Sequence, residues 1–109
     1  MASKVITDLK GKKFYFEDPK WRCYILHCND GTYYTGITTD VDRRFKEHND
    51  DHKGRGAKYT RTRRPLKLVW LSGYFDTRSE VMQTERSIKK LTRRQKINLI
   101  ESQPNRHLL

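Results

Sequence analysis

Residues 21–48 constrain the fold most, because they combine two strand patterns, a tight turn and a capped helix. Residues 21–28 read as a strand, and the Asn-Asp-Gly triplet at 29–31 is strong turn chemistry because Asp and Gly tolerate left-handed backbone. A second strand, rich in Tyr, Thr and Ile, is predicted over 32–38. The helix that follows begins at the Thr-Asp pair 39–40, either of which can cap it. The segment therefore predicts a β-hairpin followed directly by a helix.

The first predicted strand separates its side chains onto two faces, because successive residues of a strand point in opposite directions. One face carries Trp21, Cys23, Ile25 and His27, and the other carries Arg22, Tyr24, Leu26 and Cys28. The two cysteines therefore lie on opposite faces and cannot readily pair or bind one zinc together. We expect both to be reduced structural thiols, as in an intracellular protein.

The second half of the chain predicts one more strand and two more helices. Residues 66–74 are apolar on both sides, so we expect this strand to be the central one. A Thr-x-x-Glu capping box opens a helix over 77–91, and the same signature with Gln opens a last helix over 92–101. Residues 49–64 break the pattern and suggest a loop. Three strands and about three helices predict a small α+β sandwich.

The chain length of 109 residues favours one compact domain. We place this domain at 21–101, after an N-terminal extension over 1–20 in which residues 14–16 could add a short strand. A tail over 102–109 is expected to be frayed. The N-terminus lacks the apolar region of a secretory signal, and no apolar run could span a bilayer. We therefore expect a protein that is cytoplasmic or associated with nucleic acid, and not secreted.

The charge of the chain predicts a polyanionic partner. Lys and Arg number 24 against 13 acidic residues, which gives a net charge of +11. Such a charge indicates nucleic acid first and an anionic membrane second. Two basic runs, over 53–67 and 86–96, could be solvated faces, but two such runs in so short a chain, with Tyr59 available to stack on a base, favour nucleic-acid contact.

Glu85 is the first candidate site residue. Val81 precedes it by four residues and Ile88 follows it by three, which puts the carboxylate on the inward side of its helix. A charged side chain is almost never fully buried without a partner. Two interpretations stay open: a salt bridge to one of the many cations, or a ligand for a divalent metal such as magnesium.

Two tyrosines, an arginine and a histidine form the second candidate cluster. The hairpin could bring Tyr24 and Tyr34 together on one face, although strand tyrosines usually serve packing. Gly36 would let substrate or a helix approach the backbone closely. Arg44 could clamp a phosphate. His48, one turn later, could shuttle a proton or hydrogen-bond a tyrosine hydroxyl, although in isolation each residue has a structural explanation.

The ordered set of these motifs resembles a GIY-YIG nuclease domain, of the small single-domain bacterial branch that is similar to the nuclease domain of the excision-repair endonuclease. The segments that carry the resemblance are Tyr-Ile-Leu at 24–26, Asp-Gly at 30–31, Tyr-Thr-Gly-Ile-Thr at 34–38, Arg-Arg-Phe-Lys-Glu-His at 43–48, Gly-Ala-Lys-Tyr-Thr at 56–60 and Glu-Arg-Ser-Ile-Lys-Lys-Leu at 85–91. Two departures are visible. The first motif reads Arg22-Cys23 before its tyrosine, and the second has Thr35 where the family has isoleucine.

The resemblance implies an antiparallel three-stranded sheet flanked by helices and single-metal hydrolysis of phosphodiester bonds. The residues to which it assigns catalytic roles are Tyr24, Tyr34, Arg44, His48 and Glu85. Glu85 would hold Mg²⁺ or Mn²⁺, a tyrosine would activate water, and Arg44 would stabilise the phosphate. The resemblance does not decide which tyrosine is the base.

We expect the substrate to be DNA rather than RNA, with selectivity for DNA structure and a role in repair as finer expectations. The residues expected to contact nucleic acid are Gly36, Arg43, Lys53, Arg55, Lys58, Tyr59, Arg61, Arg63, Arg64 and Lys89. Two alternatives stay open: a binding module of the same fold that cuts weakly or not at all, and a subunit that a protein partner targets to its substrate.

Overall fold

A computed structural model describes residues 3–7, 9–11, 13–17, 19–50 and 54–103 of the chain. Within these residues it contains five strands and four helices. In chain order these are β1 (Ser3–Thr7), β2 (Lys13–Glu17), β3 (Arg22–His27), β4 (Tyr33–Thr38), α1 (Val41–Asp50), α2 (Lys58–Arg61), β5 (Lys67–Leu71), α3 (Arg78–Lys89) and α4 (Arg93–Glu101). The strand expected in the N-terminal extension is β2, and it pairs antiparallel with β1 in a two-stranded sheet of their own.

The main sheet is antiparallel and has the order β4-β3-β5, so β3 is its central strand. The expectation that the last strand is central was wrong. Strand β5 is apolar on both faces because the whole sheet is covered on both faces, and this says nothing about its position in the strand order. Its outer edge is instead covered by Gln103, whose side chain accepts from Leu71 N at 2.9 Å and donates to Leu71 O at 2.6 Å.

Strand β5 is also shorter than predicted. Beyond Leu71 the chain stays beside β3, because Ser72 N donates to Cys23 O at 2.8 Å. Trp21 and Phe75 then exchange two backbone hydrogen bonds, each of 2.8 Å. The predicted span of 66–74 thus combines the ladder of β5 with an irregular continuation of the same pairing.

Two hydrophobic clusters cover the two faces of the sheet. On one face Cys23 and Ile25 pack with Val81 and Ile88 of α3 and with Ile100 of α4. On the other face the buried Tyr24, Leu26 and Cys28 pack with Val41 and Phe45 of α1. Both cysteines are buried and free. The predicted division of the β3 side chains between two faces and the α+β class are therefore confirmed.

The helix boundaries follow the predicted capping chemistry. Asp40 Oδ1 accepts from Arg43 N at 3.1 Å at the start of α1. Thr77 accepts from Glu80 N at 3.2 Å, and Thr92 and Gln95 form a complete capping box. None of the helices in the described part of the chain is long and apolar enough to cross a membrane.

Three boundaries differ from the expectations. Helix α1 continues through Asp50, and Asn49 uses its side-chain oxygen to accept from Leu66 N at 3.0 Å. The short helix α2 lies in the segment expected to be a loop, because Thr60 and Arg61 both donate to the carbonyl of Ala57. In the predicted tail, Gln103 is held by β5, whereas residues 104–109 lie outside the described residues.

Candidate functional site

A chain of buried hydrogen bonds joins β3, α1 and α2. Tyr24 Oη lies 2.8 Å from His48 Nε2, and His48 Nδ1 lies 2.9 Å from Thr60 Oγ1. The Thr60 hydroxyl in turn donates to Ala57 O at 3.0 Å. His48 and Thr60 have no solvent exposure and Tyr24 has only 3%. Such groups are costly to bury unless each finds a partner, and this chain supplies the partners.

Two contacts of Thr60 bear on the tautomer of His48. Thr60 Oγ1 lies 3.0 Å from Ala57 O and 2.9 Å from His48 Nδ1, and its single proton can serve only one of them. With the proton directed at Ala57 O, Nδ1–H donates to Thr60 and Nε2 accepts from the Tyr24 hydroxyl. With the proton directed at Nδ1, which the 3.4 Å contact from Ala57 N also favours, Nε2–H donates to Tyr24. The first tautomer orients the imidazole as a proton acceptor for Tyr24.

Tyr24 stays protonated in this setting. Burial raises the pKa of its phenol well above the usual value, and the neighbouring Tyr34 raises it further. The Arg44 guanidinium lies beside the phenol and lowers its pKa, but less than burial raises it. The guanidinium therefore favours the phenolate, but by less than burial disfavours it.

Gly36 has a neighbour different from the expected one. It is the cross-strand partner of Tyr24, and a Cβ at this position would lie only 2.5 Å from Tyr24 Cζ. The space over the glycine is therefore taken by the tyrosine ring and is closed to substrate. This corrects the expectation that Gly36 lets nucleic acid approach the backbone: it seats the Tyr24 ring in the sheet.

Tyr34 is the more accessible of the two predicted tyrosines. Its ring lies edge-on to His48, with centroids 5.0 Å apart, and 6.4 Å from the ring of Tyr24. On its other side it stacks with Tyr59 of α2 at 6.0 Å and an interplanar angle of 28°. Tyr34 thus connects the buried hydrogen-bonded chain with the surface.

Arg44 and not Arg43 faces this cluster. Arg44 Nη1 donates to Arg55 O at 2.6 Å and to Glu47 Oε1 at 3.2 Å, and its side chain is 26% exposed. The Arg43 side chain is 59% exposed and pairs at 3.8 Å with both Asp40 and Glu47. The structure therefore brings together Tyr24, Tyr34, Arg44 and His48, four of the five predicted catalytic residues.

Glu85 lies on α3, at the opposite face of the sheet. Its side chain is 19% exposed, and its carboxylate pairs with Lys89 Nζ at 3.5 Å. After burial, its charge is the next cause that raises the pKa of the Cys23 thiol, to about 12. The salt-bridge interpretation is thus realised in the structure. Lys89 also lines a cavity with Tyr34 and Tyr59, so the two faces of the sheet meet at the edge of β4.

The residues present fit a divalent metal held by one carboxylate. Among residues 19–50 and 54–103 no group of three or more His, Cys, Asp and Glu side chains comes together. A fully protein-bound ion is therefore not built there. Mg²⁺ is however commonly bound by one or two carboxylates, with waters and substrate phosphate as its remaining ligands. Glu85, whose mostly buried carboxylate pairs with the cavity residue Lys89, suits that mode.

A family model for the GIY-YIG catalytic domain matches residues 20–98. The chain belongs to the GIY-YIG family. It is 55% identical over 73 residues to a UPF0213 protein of Halobacterium salinarum, in a match that covers 67% of this chain and 90% of that protein. It is 48% identical over 82 residues to a UPF0213 protein of Streptococcus agalactiae, covering 75% of this chain and 89% of the relative.

A solved structure supports the same assignment. The solution NMR structure of the UPF0213 protein BH0048 from Bacillus halodurans has 44% sequence identity and a TM-score of 0.50, and the match covers 81% of this chain and 89% of that one. The family assignment confirms the resemblance seen in the sequence. A GIY-YIG catalytic domain implies nuclease activity in general terms and a nucleic acid as substrate.

Two of the cations expected to contact nucleic acid are engaged within the GIY-YIG domain itself. Arg63 Nε donates to Asp30 Oδ2 at 2.9 Å, and its Nη1 donates to Tyr59 O at 2.7 Å, so it ties α2 to the hairpin turn. Arg64 Nε donates to His48 O at 2.8 Å near the end of α1. Both cations therefore stabilise the fold, and their contact with nucleic acid stays a prediction.

The other residues that were predicted to contact nucleic acid differ in their exposure. The cations at 55, 58 and 61 and the ring of Tyr59 are exposed, while Lys53 lies outside the described residues. Thr60 and Tyr33 were not predicted as site residues. The Gly-Ala-Lys-Tyr-Thr segment was part of the resemblance, but nothing in its spacing indicated that its threonine bonds a histidine twelve residues earlier.

Proposed function

We propose that this protein is a metal-dependent endonuclease that hydrolyses phosphodiester bonds in DNA. The observation that carries the proposal is the buried chain from Tyr24 through His48 to Thr60, with Arg44 beside the phenol. A core built for stability alone would be filled more cheaply by apolar side chains, because each buried polar group needs a partner. Proton transfer at a phosphate would explain why the side chains of Tyr24, His48 and Thr60 are buried together.

In the proposed reaction, Tyr24 is the base and His48 its proton acceptor. As water attacks phosphorus, one water proton passes to the Tyr24 oxygen while the Tyr24 proton passes to His48 Nε2. Thr60 accepts from Nδ1–H and keeps the resulting imidazolium oriented. The bond to the leaving oxygen breaks, and that oxygen takes a proton from solvent. Proton transfer through Tyr24 and His48 avoids a free phenolate, which burial makes unfavourable.

Arg44 and Glu85 supply the electrostatic part. Arg44 would place its guanidinium against the non-bridging phosphoryl oxygens, where charge develops in the transition state. Glu85 would hold Mg²⁺ or Mn²⁺, which when bound polarises the phosphate and stabilises the leaving oxygen. Without a cation, Glu85 would repel the phosphate backbone, so its inward position has more use in a metal-dependent enzyme than in a binding protein.

A binding module without catalysis is the second candidate. The ion pair of Glu85 with Lys89 at 3.5 Å favours it, because the carboxylate is then neutralised by its own chain. The pair is an i,i+4 contact in which Lys89 is 55% exposed, and such pairs contribute little to stability. A metal ion could therefore displace Lys89 at small cost.

The test is cleavage of labelled single-stranded, duplex, nicked, flapped and branched DNA, and of one RNA, with Mg²⁺, Mn²⁺ or EDTA. We expect metal-dependent cutting of DNA, reduced by about 10²–10³-fold in Glu85→Gln, while affinity measured in EDTA stays equal or rises. Glu80→Gln, an exposed carboxylate on the same helix, is the matched control and should cut like the parent. Equal affinity and no cutting by any of these proteins would favour the binding module.

A further inference from the structure

The proposed chemistry does not use the cavity that lies at the outer edge of β4. The cavity measures about 210 Å³ and is lined by Tyr33, Tyr34, Thr35, Tyr59, Lys89 and Lys96. Three aromatic rings and two ammonium groups thus surround one opening. Contacts to phosphate alone would require the cations but not the rings.

Two of these rings are held in place by arginines. Arg63 places its guanidinium carbon 3.9 Å from the centroid of the Tyr59 ring, and Arg93 places its own 5.2 Å from that of Tyr33. Both arginines are tied to the same hairpin turn, Arg63 through Asp30 and Arg93 through a 2.7 Å hydrogen bond to the carbonyl oxygen of residue 31. The aromatic walls are therefore preorganised, which lowers the entropic cost of binding a flat ligand.

We propose that this cavity is a nucleobase subsite, which stacks one base of the substrate next to the bond that is cut. Tyr33 supplies the stacking surface. Tyr59, whose faces are covered by Arg63 and Tyr34, closes the opposite wall and confines the base. Lys89 and Lys96 face the phosphates of the same strand. Aromatic rings interleaved with cations are how proteins bind unpaired nucleotides without reading their sequence. The inference rests on the proposed function, because it assigns the cavity to the same substrate.

The position of the cavity indicates which nucleotide of the substrate would fill it. Tyr34 lines the cavity and also lies 5.0 Å, ring centroid to ring centroid, from His48. A base stacked against this wall thus belongs to a nucleotide that adjoins the reacting phosphate. A base inside a duplex cannot reach such a wall without leaving its stack. The substrate class is therefore a nucleic acid with an unpaired or easily extruded nucleotide at the cleavage point.

The test measures binding in EDTA, so that no cleavage is required. A fluorescent 2-aminopurine is moved position by position through a short single-stranded oligodeoxynucleotide, and an abasic site is moved through a second series. We expect quenching at one position, and an abasic site at that same position should weaken binding by about tenfold. Tyr33→Leu and Tyr59→Leu should each remove the quenching and lower affinity for the intact oligonucleotide by about tenfold.

Tyr74→Leu is the matched control. Tyr74 is also an exposed tyrosine, at 69%, with the Arg22 guanidinium carbon 4.3 Å from its ring centroid, but it does not line this cavity. It should bind the oligonucleotide like the parent. Lys96→Gln, whose side chain belongs to the cavity but to neither ring wall, should weaken binding and reduce its salt dependence while preserving the position of the quench. Thermal melts confirm that each variant is folded.

The results separate this inference from the proposed function. If the parent cuts DNA but Tyr33→Leu and Tyr59→Leu bind and quench like Tyr74→Leu, the subsite is refuted and the nuclease stands. If no metal supports cutting but the quench is localised and is lost in both variants, the subsite stands and the nuclease is refuted. Uniform effects of abasic sites at every position would also overturn the subsite.

Discussion

The two faces of the central sheet bury different kinds of side chain. On the face covered by α3 and α4, Ile25 and Val81 are fully buried in an apolar cluster. On the face covered by α1 and α2, Tyr24, His48 and Thr60 are buried but joined by hydrogen bonds of 2.8 and 2.9 Å. Tyr24 and Ile25 are adjacent in the sequence, so a single peptide unit separates a packing residue from a candidate catalytic one. Equal burial therefore does not indicate equal function in this molecule.

A pair of small substitutions at these adjacent residues tests most directly whether the two faces differ in function. Tyr24→Phe removes one hydroxyl and should lower kcat/KM for DNA cleavage by about 10²–10⁴-fold, because the proton path to His48 is lost. Ile25→Val removes one methylene and should cost about 0.5–1.5 kcal/mol of stability with no change in kcat/KM. Cleavage rates and urea denaturation of both variants check this. Equal rate losses in the two variants would show that Tyr24 acts through packing.

The separation of the faces could be predicted from the sequence, and so could the helix starts. Strand side chains alternate with a period of two, so the assignment of Cys23 and Tyr24 to opposite faces required no tertiary information. The caps at Thr77 and Thr92 are equally local, because donor and acceptor lie within one helical turn. These features depend only on short segments, so tertiary packing does not change them.

The strand order and the Thr60 end of the buried chain could not be predicted in this way. The apolar pattern of β5 reports cover on both faces, and the Gln103 contact that closes its outer edge joins residues 32 positions apart. Thr60 lies in a basic segment without apolar periodicity, so nothing local marks it as a partner of His48. The internal hydrogen bonds of Arg63 and Arg64 could not be predicted either, because a sequence shows charge but not the carboxylate and carbonyl groups that fold onto it.

A substitution at Gly36 tests the position of the Tyr24 ring and is expected to have a smaller effect. Gly36→Ala would place a Cβ 2.5 Å from Tyr24 Cζ, so the ring must shift or the strands must separate. We expect a loss of about 1–3 kcal/mol in stability and a loss of cleavage together, because the same ring serves both. Gly73→Ala, which has nothing within 4 Å of its added Cβ, is the control and should change neither. Full cleavage activity in Gly36→Ala would mean that the position of the Tyr24 ring is not critical.

A substitution at Thr60 is expected to have the smallest effect on the rate, because Thr60 contacts His48 and not the proposed phosphate position. Thr60→Val keeps the shape of the side chain but leaves His48 Nδ1 without its 2.9 Å hydrogen-bond partner. The positioning role predicts a loss of about tenfold in kcat with KM nearly unchanged and a shifted pH–rate profile, because a hydrogen bond that orients the imidazolium acts on the transition state. Thr60→Ser, which restores the hydroxyl, should recover the rate and the profile. If Thr60→Val loses stability but cuts with the parental pH profile, the buried chain ends functionally at His48, and Thr60 only packs α2 against α1.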